Sequence, residues 1–197
     1  MAGRPSNRDE RYAQVMEALV RCVARFGLKG ATLGAVAEEA GLSRPLIRHH
    51  LGNRDEILTA LQDYVLQSFS DQTRAMMAAL PETRPATALI ALLFSDLGAN
   101  APDMILAFAA LTTQAAADAD LREACRDSLL TFEAAVAQTL QAEVPGADEV
   151  EVQEAAHGIT ALYFNVTSLS PLDMPKEWLG KARRLSNKLL GQLKDSN

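Results

Sequence analysis

A single glycine, Gly41, most narrows what this chain can fold into. It stands between two short segments, 33–40 and 44–51, each long enough for about two turns of helix. Ala40-Gly41-Leu42-Ser43 joins them, which leaves room only for a tight corner. Glycine permits a positive φ at that corner without a Cβ clash. Ala37, four residues earlier, leaves the space that two crossing helices need, and Ile47, six residues later, is placed to reach back onto Val36 and Ala37. This spacing predicts a helix-turn-helix.

The residues around the corner divide by face. Thr32 is the expected N-cap of the first helix and Ser43 of the second. Pro45 suits a first turn, where its missing N–H has no helical partner anyway. Ile47 and Leu51, one turn apart, should face inward, whereas Arg44 and Arg48 fall on another face with His49 beside them. An arginine on such a face can read guanine O6 and N7 bidentately. Ser43, Arg44, Pro45, Leu46, Arg48, His49 and His50 are therefore candidate DNA contacts, with a packing and hydrogen-bonding role as the alternative for His50. The plain alternative for the whole segment is a helical corner with solvated arginines.

Charge is distributed unevenly. Residues 1–54 carry nine Lys/Arg and five Asp/Glu, a balance of +4, while the other 143 residues carry ten and twenty, a balance of −10. A basic head on an acidic body fits a protein whose head alone meets a polyanion. Chance clustering is the competing explanation.

Elsewhere the apolar residues recur at helical spacing, and aromatic residues make up only 5% of the chain. Tyr12, Val15, Met16, Leu19, Val23 and Phe26 mark a first helix, which Gly27 should end with a left-handed C-cap and Leu28 in the contact that often follows. Asn53 with Glu56 resembles a capping box opening a long fourth helix that fades near Leu80-Pro81. Further helices are expected at about 83–98, 101–116, 119–143, 148–169 and 175–194, separated at Asn100-Ala101-Pro102, Pro145-Gly146 and Ser170-Pro171. The longest apolar runs, 86–94 and 104–111, fall well short of the ~20 residues that cross a bilayer. The polar first fourteen residues carry no signal-peptide pattern, and Cys22 and Cys125 have no metal-ligand spacing. A reduced, cytoplasmic protein is expected.

Residues 11–58 resemble the TetR family of bacterial transcriptional regulators. The matching residues are Ala18, Phe26-Gly27, Thr32, Val36-Ala37, Ala40-Gly41-Leu42-Ser43, His50, Gly52 and Arg54-Asp55-Glu56-Ile57-Leu58. The family pattern has an aromatic where this chain has Arg48, a Phe where it has Leu51 and a Lys where it has Arg54. The run Ile47-Arg48-His49-His50-Leu51-Gly52 is similar to that of a subgroup lacking the aromatic, which includes the choline–betaine pathway repressor. The resemblance covers 48 of 197 residues and implies that Arg54, at the start of the fourth helix, meets the phosphate backbone. Helix N-termini bind anions, which is consistent with that placement and with a phosphate contact at Thr32. Arg4 and Arg8 are either further DNA contacts or solvated charge.

No catalytic constellation emerges, so an enzyme is not expected. Adjacent His49 and His50 point to different faces and cannot chelate as an i,i+4 pair would. His157, among Ala155, Ala156 and Gly158, reads as an interface or core histidine, and Asp118 and Asp120 as first-turn helix acids. No phosphate loop or nucleophile elbow is present. No cofactor or metal is implied.

The body offers two further candidate sites. Phe94, Met104, Phe108, Phe132, Tyr163 and Phe164 are its large apolar groups, with Thr112, Gln114 and Asn165 among them. Phe94, Met104, Phe108, Thr112, Phe132 and Tyr163 are the candidate ligand-binding set; filling a core is the alternative. The helix at 148–169 is apolar around much of its circumference, and the last helix carries Trp178, Leu179, Ala182, Leu185, Leu189 and Leu190. The family resemblance implies dimerisation through these two helices, with Ala155, Ile159, Leu162, Val166, Leu185 and Leu189 as candidate interface residues. A two-fold dimer sets its recognition helices about 34–36 Å apart or more, which suits a palindromic operator.

The expected fold is therefore all-α: a helix-turn-helix domain at 1–54, joined through a long helix to a helical effector-binding and dimerisation domain at 55–197. The expected function is a dimeric, TetR-like repressor of double-stranded operator DNA, released by a small-molecule effector and not associated with membranes. A ligand-independent or protein-responsive regulator of the same fold is one alternative. An all-helical enzyme or interaction module is another.

Overall fold

A computed structural model describes residues 7–95, 102–175 and 177–196, with side chains from residue 10 and, after the gap, from residue 103. The expectations for Arg4, for the Arg8 side chain and for the break at Asn100-Ala101 lie outside the described residues. The described residues form nine α-helices, one short 3-10 turn and no strand. These are α1 (Asn7–Gly30), α2 (Leu33–Ala40), α3 (Arg44–Leu51), α4 (Arg54–Ala78), α5 (Pro85–Leu93), α6 (Pro102–Ala115), α7 (Ala119–Glu143), α8 (Glu149–Ser168) and α9 (Glu177–Asp195), with the 3-10 turn at Ser170–Leu172. No described helix is long and apolar enough to cross a membrane.

Two compact units are present: Met1–Ser68 with Leu106–Cys125, and Phe69–Ile105 with Arg126–Asn197. In the first, α1, α2 and α3 pack on one another around Val15, Met16, Leu19, Val23, Val36, Ile47 and Leu51, all buried. Ile47 has no exposed surface, a burial that stabilises the corner by about 1.5–3 kcal/mol. Gly41 caps α2 at φ 63°, ψ 32°, and its N–H and that of Leu42 satisfy α2 carbonyls. The left-handed geometry required of this residue is the one a Cβ would penalise.

Several local expectations need correction. α1 does not end at Gly27. That residue has φ 69° but ψ 173°, and the chain kinks there before a last turn to Gly30. Tyr12 and Phe26 are largely exposed, not part of the buried stripe, because they lie on its flank. α5 stops at Leu93 rather than 98.

The core of the second unit is built on Leu89, Ile90, Phe132, Val136, Leu140, Val152, Ile159 and Leu190. α8 packs closely on α9. A Cβ at Gly158 would lie 2.8 Å from Leu189 Cδ1, the end of a flexible side chain, so Gly158 and Leu189 face each other across the two helices. α5 has no side-chain cap of its own, since the residue before it, Arg84, is left-handed. Glu143, at the end of α7, takes that role: its carboxylate accepts from Thr87 N (2.8 Å), Thr87 Oγ1 (2.7 Å) and Lys194 Nζ on α9 (2.6 Å). Burial pushes this carboxyl up, but the hydrogen bonds from Lys194 and Thr87 outweigh it and hold it below the usual carboxylate range.

Candidate nucleic-acid interface and body cavities

α3 separates two chemistries by helical phase alone. Ile47 and Leu51 are buried, while Arg44, Pro45, Arg48 and His49 are exposed on the other side and Leu46 and His50 are half-buried. Pro45 sits in the first turn, as its chemistry requires. Ser43 precedes α3 in extended geometry, but its side chain makes no capping bond; the corner is held instead by Leu46 N and Ile47 N donating to Ser43 O. Thr32 does cap α2, its Oγ1 accepting from Ala35 N at 3.2 Å.

The expected box at the start of α4 is present in both directions. Asn53 Oδ1 accepts from Asp55 N and Glu56 N, and Glu56 Oε2 accepts from Asn53 N at 2.6 Å. Arg54 is thereby fixed at the first position of a capped helix, one short connection from the end of α3.

Not all of the basic charge reaches this face. Arg21 and Arg25 on α1 bind Glu39 of α2 at 2.6 and 3.1 Å. The Arg21 hydrogen bond, with the Arg25 charge behind it, holds the Glu39 carboxyl below its ordinary range. Among the described residues no carboxylate pairs with Arg44, Arg48 or Arg54. The Arg44 guanidinium lies against Gly34, over the first turn of α2. Two arginines therefore join helices, and three present their charge to solvent around α3 and the start of α4.

In the second unit, four of the candidate ligand residues come together. Phe94, Phe132 and Tyr163 are in ring contact, with Phe132 and Tyr163 stacked at 5.8 Å, and Met104 lines a small cavity with Phe132 and Tyr163. Burial pushes the Tyr163 phenol up, so it stays protonated. Phe108 is buried, and Thr112 is exposed with its hydroxyl donating to Ala109 O at 2.7 Å.

Phe69, on α4, was not among the candidates, yet it lies 5.7 Å from Phe132 and 6.1 Å from Phe164 between ring centroids. Its only sequence signal was its place in the α4 apolar stripe. The cavity it shares with Met76, Met104, Phe132 and Tyr163 measures about 70 Å³, and a more open cleft of about 450 Å³ uses Phe69, Phe132, Met77, Arg74 and Asp127.

The candidate interface residues also divide. Ala155 and Ile159 are buried within their own unit. Leu162, Val166 and Leu189 are half-buried and Leu185 is 47% exposed. Leu162, Val166 and Leu185 edge one apolar groove with Trp178. His157 is not a core residue: it is exposed, with Nδ1 at 3.1 Å from Glu133 Oε2.

Residues 15–61 match the family of bacterial regulatory proteins called tetR. The stretch spans α1, the α2–α3 corner and the capped start of α4. The chain matches that family over 47 of its 197 residues. Its resemblance to the subgroup lacking the recognition-helix aromatic has a counterpart in relatives named HTH-type transcriptional regulator BetI. The protein of that name from Burkholderia cenocepacia (strain HI2424) is 35% identical over 99 residues, 49% of this chain and 51% of that protein. The one from Burkholderia mallei (strain NCTC 10229) is 29% identical over 157 residues, 79% of this chain and 78% of that one. The match thus spans about half the length of the first of these relatives.

Among solved structures, the chain is similar in fold to a TetR-family regulator from Cytophaga hutchinsonii (TM-score 0.70, 16% identity, 97% of this chain and 98% of that one). It is also similar to a regulator from Saccharomonospora viridis solved with choline (TM-score 0.69, 18% identity, 93% and 96%).

Proposed function

We propose that the protein is a dimeric transcriptional repressor that binds a palindromic operator through α3 and is released by a small-molecule effector. The observation that carries this reading is the division of α3: apolar residues hold it to the domain, and Arg44, Arg48 and His49 stand exposed beside Thr32 and Arg54. Long donors on an exposed helix suit base edges in the major groove, and Thr32 and Arg54 suit phosphates. Residues 1–54 form the DNA-binding part, and residues 55–197 provide the effector site and the dimer contact. A cytoplasmic location follows from this role.

Support for dimerisation comes from the exposed apolar groove at Leu162, Val166, Trp178 and Leu185. For the effector, the aromatic cluster offers a small cavity beneath a wider cleft with Asp127 at its edge. Choline, found with the Saccharomonospora viridis neighbour, is a quaternary ammonium cation, and aromatic rings suit such a group. Selection of bound fragments from genomic DNA tests the central reading. Recovery of one palindromic sequence supports it, and recovery of no preferred sequence refutes it.

A further inference from the structure

An apolar cleft of about 250 Å³ opens beside the helix-turn-helix, lined by Leu28, Ile57, Leu58 and Leu61 and edged by Thr32 and Arg54. It lies wholly within the first compact unit, and its apolar lining takes no part in the function proposed above. Leu61 is buried, whereas Leu28, Ile57 and Leu58 are half-buried, so apolar surface in the cleft still meets solvent. Arg54 is the one charged residue of its lining. At the start of α4 the Asp55 and Glu56 amides are already satisfied by Asn53, and Glu56 is turned back onto Asn53 N. Recognition of charge there falls to the Arg54 guanidinium.

An apolar wall ending at a single guanidinium selects for a molecule with an alkyl chain and one anionic head. The chain buries against the leucines and the isoleucine, and the head makes a charge-assisted bond to Arg54. A cation would be repelled. The volume lies below the ~300 Å³ at which drug-sized sites begin, which limits the chain to a short one. We propose that this cleft is a second ligand site, for a short-chain amphiphilic carboxylate or similar anion, separate from the aromatic cluster of the other unit. Its occupation and phosphate contact at Arg54 exclude each other, because both use the same guanidinium. This competition rests on the DNA-binding reading; occupation of the cleft does not.

The test uses the full chain with labelled Leu, Ile and Val methyl groups, titrated with octanoate and, separately, with n-octanol, in the absence of DNA. Octanoate should give saturable shifts at the methyls of Leu28, Ile57 and Leu58. Arg54→Gln, an exposed substitution that leaves the core intact, should weaken octanoate by about tenfold, the loss of one charge-assisted contact, and leave octanol unchanged. Ala31→Leu, which fills the cleft, should abolish the shifts. Absence of saturable shifts at those three residues, or equal octanoate affinity in wild type and Arg54→Gln, overturns the proposal. A labelled operator duplex added afterwards addresses the competition alone: displacement by octanoate supports it, and simultaneous binding refutes it while leaving the ligand site standing.

Discussion

Replacing Glu143 by Gln should destabilise the protein at neutral pH and do little in acid. In the wild type this carboxylate is 5% exposed and accepts three hydrogen bonds, two from Thr87 at the start of α5 and one from Lys194 on α9. Lys194 is 40% exposed and recovers water when its partner is lost, so its share is about 0–1 kcal/mol. The two Thr87 donors are the larger part, since each loses a charged acceptor in a place water reaches poorly. A hydrogen bond to a charged group is worth about 1.5–3 kcal/mol, and a glutamine retains one acceptor, so the net loss should be about 1–2 kcal/mol. Glu143→Ala, which retains none, should cost about 2–4 kcal/mol.

The pH sign follows from the depressed folded-state pKa. The stabilisation is complete above the unfolded carboxylate value of about 4.3 and is lost as pH falls through the lower folded value. Urea unfolding at fixed protein concentration, at about pH 7 and again at about pH 3, should show a midpoint gap of roughly 1 M that narrows in acid. A gap of the same size at both pH values, or none at neutral pH, refutes the charge-based account.

Three other outcomes are expected. Arg48→Ala should relax base preference at one position per half-site, costing about 1–3 kcal/mol at that base pair, whereas Arg54→Ala should weaken all sequences alike; equal loss of selectivity would contradict the two roles. Leu185→Glu should give a folded monomer in sedimentation, while Ile159→Lys should lose helical signal altogether because that side chain has no exposed surface; a Leu185→Glu dimer of wild-type strength would move the interface elsewhere. A ligand that releases DNA must bind more weakly to the operator complex by the same factor, typically about 1–3 kcal/mol, and calorimetric titration with and without operator should show it. Identical affinities would remove the coupling.

The head was the most legible part of the sequence, for a local reason. Gly41, Thr32 and the Asn53–Glu56 pair act through neighbours two to four residues away, so their spacing alone specifies α2, the corner and the start of α4. Ser43 shows the limit: its residue type fits a cap, yet the rotamer that makes the bond is not a property of the sequence. In the body the same kind of periodicity named apolar residues without saying which neighbour each one meets. Ile159 and Leu185 both fell on apolar helix faces. Only the packing of α8 on α9 shows that the first lies in the core and the second in the groove. Phe69 joined the aromatic cluster from α4, and Glu143 found Thr87 across 56 residues of sequence.

The grip of Glu39 on Arg21 and Arg25 sets how sharply the protein can respond to its ionic surroundings. Those two charges displace few counterions from a duplex, because they are already neutralised within the head. The salt dependence of binding would then come from cations outside this clasp, such as Arg54, and would be shallower than the nine basic residues of the head suggest. Breaking the clasp with Glu39→Gln would add countercharge to the head without adding any base contact. The variant would hold DNA of any sequence more tightly in dilute buffer, and its preference for the operator would narrow.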